Sequence, residues 1–436
     1  MIQTTRDRRR RSSAFHLRES VVNWQLVRYF LGTWLTTFAD RSAQVQLLST
    51  VVMSGPDGQG LGSNTLSILM PFVLFSYALG ALADNQDNRK LLIAITLGRG
   101  LLVLSIPTIL TSFGATGAIV PLCIFALSTC IVVCTILDFA LLPRLSNGTS
   151  QIRTANAIFL FTTTTATLAA VSIAPLLSEI WLPHDTLRMA AILYFIAMCL
   201  FWTMNRAKTK ILPRSVNDTE ELANVFRIRK GSISMFRLGF FAYVGHGIFY
   251  CIFLIFCIQN TQLNNAQASN IFATLAWGFL SGVVASLTFF RRSKISALIG
   301  YSSALAAIAC LIFATGGSNS TSLRIFLLIM GTTGATTLIG INSLLQREFN
   351  RNVRGKVYGA ILCLAIATYT LAAVGVEQVT THYSALTIVR VMAAGWLCFV
   401  ILVAINSNGI KTRWRKARHK RKFKLSGKSA QVTIEK

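Results

Sequence analysis

Apolar stretches separated by polar breaks divide this chain along nearly its whole length: 26–53, 65–83, 91–111, 118–142, 157–180, 187–204, 238–258, 271–290, 295–315, 323–345, 357–376 and 386–406. At about 1.5 Å of rise per residue, each is long enough as a helix to cross a hydrocarbon core of roughly 30 Å. A backbone in lipid must satisfy its own hydrogen bonds, which excludes loops and open-sheet strands at this length. The expected fold class is an all-α membrane protein with twelve transmembrane helices.

Basic residues give the stretches a direction. The even-numbered gaps hold 2, 2, 8, 3 and 4 lysines and arginines, and 11 more follow the last stretch. At the odd boundaries stand only Arg188, Arg324 and Arg390, while Arg41 and Arg99 lie inside stretches. The positive-inside rule then places both termini and the even gaps in the cytoplasm. A net charge of +27 does not point to nucleic acid here, because no soluble domain remains to organise it. The run from Lys411 to Lys422 and the N-terminal run from Arg8 to Arg11 read as topology anchors that also attract anionic lipid headgroups. The first stretch is too long for a secretion signal, and no small-residue cleavage site follows it.

The 9 cysteines fall within predicted helices, without a CxxC pair or a His spacing that would ligate metal, and read as packing residues. No Walker pattern is present, so no nucleotide site and no cofactor are indicated. Runs such as Gly331 to Thr337 and Thr162 to Thr165 have a structural meaning: small residues let helices approach, and Thr hydroxyls bond back to carbonyls.

One sizeable internal polar stretch, 205–237, carries Pro213, Asp218, Glu220, Glu221 and 8 basic residues. It divides the chain into a basic segment 1–25, a six-helix bundle 26–204, the linker itself, a second six-helix bundle 238–406 and a basic tail 407–436. An internal repeat supports the division. At a constant offset of 203 residues, Leu141, Leu142, Arg144, Asn147 and Ala157 match Leu344, Leu345, Arg347, Asn350 and Ala360, with Arg153 opposite Lys356. Both windows join the fourth and fifth helices of their halves, as a parallel duplication predicts.

Four local patterns resemble the major facilitator superfamily, and within it the bacterial drug, macrolide and siderophore efflux group that includes lysophospholipid transporters. After the second stretch, Gly80 to Lys90 is similar to that superfamily's loop motif of Gly, three residues, Asp and a basic cluster, with Arg99 further on; Asn85 and Asn88 replace the usual basic residues. Gly32 with Phe38-Ala39-Asp40 resembles the group's Gly-Asp pattern in the first helix. Leu142-Pro143 with Ala155-Asn156-Ala157, and Leu345-Gln346 with the run Arg354 to Gly359, resemble its later loops. Ala170 and Ala174-Pro175 stand where antiporters of the superfamily carry Gly, three residues, Gly-Pro, a tilt toward export. The resemblance implies two pseudo-symmetric bundles and a multi-pass protein of the bacterial cytoplasmic membrane, working without a cofactor; the sequence leaves the oligomeric state open, with a monomer favoured.

Candidate chemistry lies in charges at membrane depth, which cost several kcal/mol unless paired or wetted. Asp40 falls near the middle of the first helix and is a candidate proton carrier; a static salt bridge is the alternative. Arg41 points about 100° away from it and meets another helix. Arg99 is also deep, and its partner is Asp84, Asp138 or Asp40. By resemblance, Gly80, Asp84, Arg89, Lys90 and Asp138, with Arg354 and Lys356, form a cytoplasmic gate, with topology anchoring as the alternative. The first, fourth, seventh and tenth helices usually line the cavity in this superfamily, which nominates Trp34, Tyr243, Tyr250 and Asn342. His246 joins the proton path, since imidazole titrates near neutrality, or is a hydrogen-bonded packing residue. The expected function is proton-coupled efflux of a small amphipathic compound. The alternatives are a lysophospholipid facilitator and a non-transporting sensor or scaffold.

Overall fold

The computed structural model describes residues 24–54, 61–113, 119–146, 151–180, 182–204, 265–290, 293–316, 320–349 and 353–380, with short pieces at 240, 244–246, 383, 387–388, 390–391, 393–398 and 401. The long helices among them are α1 (Trp24–Ser54), α2 (Leu61–Asn85), α3 (Asn88–Phe113), α4 (Ile119–Leu145), α5 (Ile152–Ile180), α6 (Pro183–Trp202), α7 (Asn265–Leu287), α8 (Ile295–Gly316), α9 (Ser320–Glu348) and α10 (Arg354–Thr380). The helices α1 to α6 correspond to the first six apolar stretches, and α7 to α10 to the eighth to eleventh. The expected stretches 238–258 and 386–406 lie largely outside the described residues; the linker 205–237 and the basic segments 1–25 and 407–436 lie almost or wholly outside them.

Six helical segments among the described residues are long and apolar enough to cross a membrane: Leu66–Asn85, Asn88–Phe113, Ile119–Leu145, Ile152–Ile173, His184–Trp202 and Thr321–Glu348. Ala273–Leu287 and Ala297–Phe313 are shorter apolar helices. Large side chains such as Leu101, Leu122 and Ile192 are exposed on the outside of this all-helical protein, a surface suited to lipid rather than water.

Most helices outrun their apolar stretches. Hydropathy marks the part that crosses lipid, whereas helical hydrogen bonding continues into polar residues at the interface. Thus α4 continues through Pro143 to Leu145, and α3 starts at Asn88, with Asp87 Oδ1 accepting the Arg89 amide N–H at 3.1 Å in the manner of an N-cap. Only Gln86 and Asp87 separate α2 from α3. Pro183 opens α6, where its fixed φ suits a first helical turn. The last residues of α4 and α9, Leu145 and Glu348, stand 203 positions apart, at the offset of the sequence repeat.

Within the first six helices, α1 packs on α5 and α6, α2 on α4, and α3 on α4 and α6. In the second half, α9 packs on α7 and α8. The halves meet chiefly through α2 against α10 and α5 against α7, with α5 also touching α9. Glycines set how closely these helices cross. A Cβ on Gly80, Gly355 or Gly359 would overlap backbone atoms of the facing helix, and the Gly355-x-x-x-Gly359 spacing puts both glycines of α10 on one face. In the second half, Gly331 of α9 likewise abuts the Leu275 carbonyl of α7.

Candidate functional site

Two carboxylates of the first half line the same cavity as one buried guanidinium, and only one of them pairs with it. Asp40 on α1 is 7% exposed and Arg99 on α3 is 2% exposed. Arg99 Nη1 donates to both Asp40 oxygens, at 2.9 and 2.7 Å, and the Tyr194 hydroxyl of α6 donates to Asp40 Oδ1. The guanidinium carbon lies 5.1 Å from the Tyr194 ring centroid, and Nη2 reaches the Cys134 sulfur of α4 at 2.9 Å. Asp40 is therefore a fully engaged anion, since its charge is matched and both oxygens are used. Of the three partners the sequence left open for Arg99, the structure places Asp40 there.

Asp138 lies one helical turn beyond Cys134. The Tyr29 hydroxyl of α1 donates to its Oδ1 at 2.8 Å, and no cation stands within ion-pair distance among the described residues. The expected pairing of Asp138 with the basic cluster after α2 is thus replaced by a neutral donor. Arg89 turns to its own bundle and donates to the carbonyls of Phe201 and Trp202, closing the C-terminus of α6. Lys90 is exposed.

Asp40, Arg41, Arg99 and Asp138 line a single cavity of about 470 Å³. Threonines of α1 and α5, including Thr37, Thr163, Thr164 and Thr167, supply hydroxyls. Phe159, Phe201 and, from the second half, Leu275 and Phe279 of α7 supply apolar surface. Arg41 is exposed and donates to Gln44 Oε1 at 2.7 Å, one turn along its own helix, and among the described residues no hydrogen bond or ion pair takes it to another helix. Among the described residues the cavity is lined by the first, third to sixth and eighth helices in sequence order; the first and fourth belong to the set that the resemblance implied, and the seventh lies largely outside the described residues.

At the polar ends of α2, α4, α9 and α10 the two halves close on each other. The Asp84 carboxylate accepts the amide N–H groups of Gly355 at 2.7 Å and Lys356 at 2.9 Å, capping α10 with an anion at its positive end. Phe139 of α4 stacks on Tyr358 of α10 with centroids 3.8 Å apart and planes 6° from parallel. Gln346 Nε2 of α9 donates to the Phe139 carbonyl at 3.1 Å, and Asn156 Nδ2 of α5 donates to Gln346 Oε1 and Ser343 Oγ at 2.6 and 3.2 Å. Arg153 Nη1 donates to the Ser293 carbonyl at 2.9 Å. Arg354 instead closes its own half, donating to the Gln346 and Phe349 carbonyls at the end of α9. Asp84→Ala removes two hydrogen bonds to a charged acceptor, each worth about 1.5 to 3 kcal/mol, which water repays in part. Cys363 Sγ faces the Val73 carbonyl at 3.1 Å across this α2–α10 seam and reports on its opening. Maleimide labelling of Cys363, resolved by peptide mass spectrometry, is expected to accelerate about tenfold or more in Asp84→Ala.

The remaining nominated residues sit elsewhere. Trp34 stacks on Phe38 at 5.5 Å and packs with Ala166 and Ala170, outside the cavity lining. His246 is buried in the second half, with Nε2 3.1 Å from Thr333 Oγ1 and its ring edge-on to Trp396. That is the environment of a packing histidine. Asn342 lines a small separate void near Tyr358. Tyr243 and Tyr250 lie outside the described residues. Tyr29, Tyr194 and Cys134 were not nominated from sequence, because their roles rest on contacts between helices with no local spacing to mark them. Asn156 and Gln346 did stand in the loop patterns, but as pattern positions only.

No protein-family sequence model and no curated protein sequence matches this chain. Solved structures match its fold. The human organic anion transporter MFSD10 (TETRAN) aligns with a TM-score of 0.67 at 14% identity, over 87% of this chain and 99% of that one. A bacterial homologue of the iron transporter ferroportin, in an outward-facing state, aligns with a TM-score of 0.68 at 12% identity, over 88% and 99%. The E. coli fucose:proton symporter FucP aligns with a TM-score of 0.63 at 12% identity, over 89% and 98%. This chain thus has the helical fold shared by these multi-pass membrane transporters.

Proposed function

We propose that this protein is a secondary active transporter of the major facilitator type, in which bundles 26–204 and 238–406 rock about a central site and open it to one side of the membrane at a time. The observation that carries this reading is the cavity of about 470 Å³, which holds buried charge and is closed at one end by contacts between the two halves. Those contacts are hydrogen bonds, one aromatic stack and glycine crossings, each of which can break without unfolding a helix. The basic ends of the helices face the cytoplasm, so the described conformation is the outward-facing one.

The cargo is a small amphipathic compound. Phe159, Phe201 and Phe279 offer apolar contact, and threonine hydroxyls, Arg41 and Asp138 offer a few polar anchors. Transport is driven by protons and directed outward, and its coupling group lies among the cavity carboxylates of the first half. The test uses proteoliposomes loaded with a pH-sensitive dye under an imposed gradient and challenged with hydrophobic cations, macrolides, siderophores and lysolipids. Substrate-evoked proton movement is expected for at least one class. Cargo movement with no proton movement would reject the coupling, and silence for every class would count against transport itself.

A further inference from the structure

Of the two carboxylates that line the cavity, we infer that Asp138 takes up and releases the transported proton, that Tyr29 positions it, and that Asp40 serves as the fixed counter-ion of Arg99. The inference rests on the proton-coupled reading above and assigns the residue within it. Protonating Asp40 would leave the Arg99 guanidinium buried without a counter-charge, which a low-dielectric site strongly disfavours. Protonating Asp138 strands no cation, because its hydrogen-bond donor is the neutral Tyr29 hydroxyl.

The groups facing Asp138 are few. From α1 they are Tyr29, Asp40 and Arg41; from α3, Arg99; on α4 itself, Cys130 and Cys134. The α5 face toward the cavity presents threonines and Phe159, without charge. On α2, Asp84 accepts the backbone amides of Gly355 and Lys356 at the helix ends, with the Lys356 and Arg144 charges nearby. The charge of Arg99 is committed to Asp40. Asp138 Oδ1 accepts from Tyr29, and Oδ2 is left to receive the proton. In the step, a proton from cavity water bonds to Oδ2 and gives a neutral carboxylic acid; release reverses it, returning the proton to water on the other side.

Position adds a second argument. Asp138 lies on the cavity, while the next residue, Phe139, is held by two helices of the opposite half, its ring by Tyr358 of α10 and its carbonyl by Gln346 of α9. A rigid peptide joins the two residues. Opening the closed end must release Phe139 and so re-expose Asp138 to that side, whereas the Asp40 pair is held by α1, α3 and α6 of one bundle and moves with it.

The assignment is tested on the full-length protein in lipid nanodiscs by infrared difference spectroscopy between about pH 5 and about pH 9, which spans ordinary and elevated carboxyl titration. A buried protonated-carboxyl band is expected at acid pH. It should be lost in Asp138→Asn, displaced in Tyr29→Phe, and kept in the charge-neutral double variant Asp40→Asn/Arg99→Gln. A band that survives Asp138→Asn, one that disappears in the double variant, or none in the wild type overturns the inference. A second arm measures proton movement evoked by ethidium in proteoliposomes, expected to be lost in Asp138→Asn. Undiminished movement in that variant also overturns the assignment. Ethidium transport by the wild type without proton movement, with the infrared band still assigned to Asp138, overturns the coupled-transport reading instead.

Discussion

Asp40→Leu alone is expected to destabilise the protein by about 3 to 5 kcal/mol, while Asp40→Leu combined with Arg99→Met recovers much of that loss. The single change leaves a guanidinium that is 2% exposed with no counter-ion, a sulfur contact to Cys134 and an aromatic face. The double change removes both charges and fills the space with apolar side chains, which is often neutral when a buried pair is replaced whole. A double-mutant cycle on thermal unfolding in detergent should give a coupling energy of about 2 to 3 kcal/mol. Additive losses would mean that Arg99 finds another partner when Asp40 is gone and that the pair is not the fixed element described above. Tyr194→Phe should cost less than either single change, because it removes one neutral donor from an oxygen that Arg99 still contacts.

How much of this was legible beforehand follows from the range of the interactions. Apolar run length marked where helices cross, because burial in lipid demands it of every residue in the run. Asp40, Arg41, Arg99 and Asp138 stood out for the same reason, as charges that an apolar run should not contain. Their pairing was not legible. Asp40 and Arg99 are 59 residues apart, and Tyr194 is 154 from Asp40 on a helix that reads as plain hydrophobic sequence. Which of three carboxylates met Arg99 depended on helix rotation, and apolar runs that are hydrophobic all round carry little information about rotation. The same limit sent Trp34 to the cavity when it packs against α5, and sent Asp138 to the gate when its carboxylate sits on the cavity and its neighbour Phe139 does the closing. The motif nominated Asp84 for a gate, but its partners are backbone amides, which no sequence pattern distinguishes.

Gly359→Leu is expected to prevent the closed end from forming. At this crossing a Cβ would run into the backbone carbonyl of Ser76 and the Tyr77 Cα, atoms fixed within α2 that cannot turn aside. Gly32 is different, since there the obstacle is the rotatable Phe201 ring. With leucine at 359, α2 and α10 must separate, and separation also draws Gly355 and Lys356 away from Asp84 and Tyr358 away from Phe139. Overpacking of this kind costs about 3 kcal/mol, or about a hundredfold in the ratio of closed to open states. Cys363, four residues along the same helix, should label with maleimide faster in proportion, and faster than in Asp84→Ala, which weakens the closure but leaves its packing intact. Gly98→Ala is the matched control, because a Cβ there meets nothing within 4 Å. Under the proposed alternating-access reading, which requires both states, Gly359→Leu should also abolish net transport while the helices stay folded. Unchanged Cys363 labelling in this variant would mean that α2 and α10 do not form the closing contact. Faster labelling with transport intact would mean that the contact forms but is not a required step of the cycle.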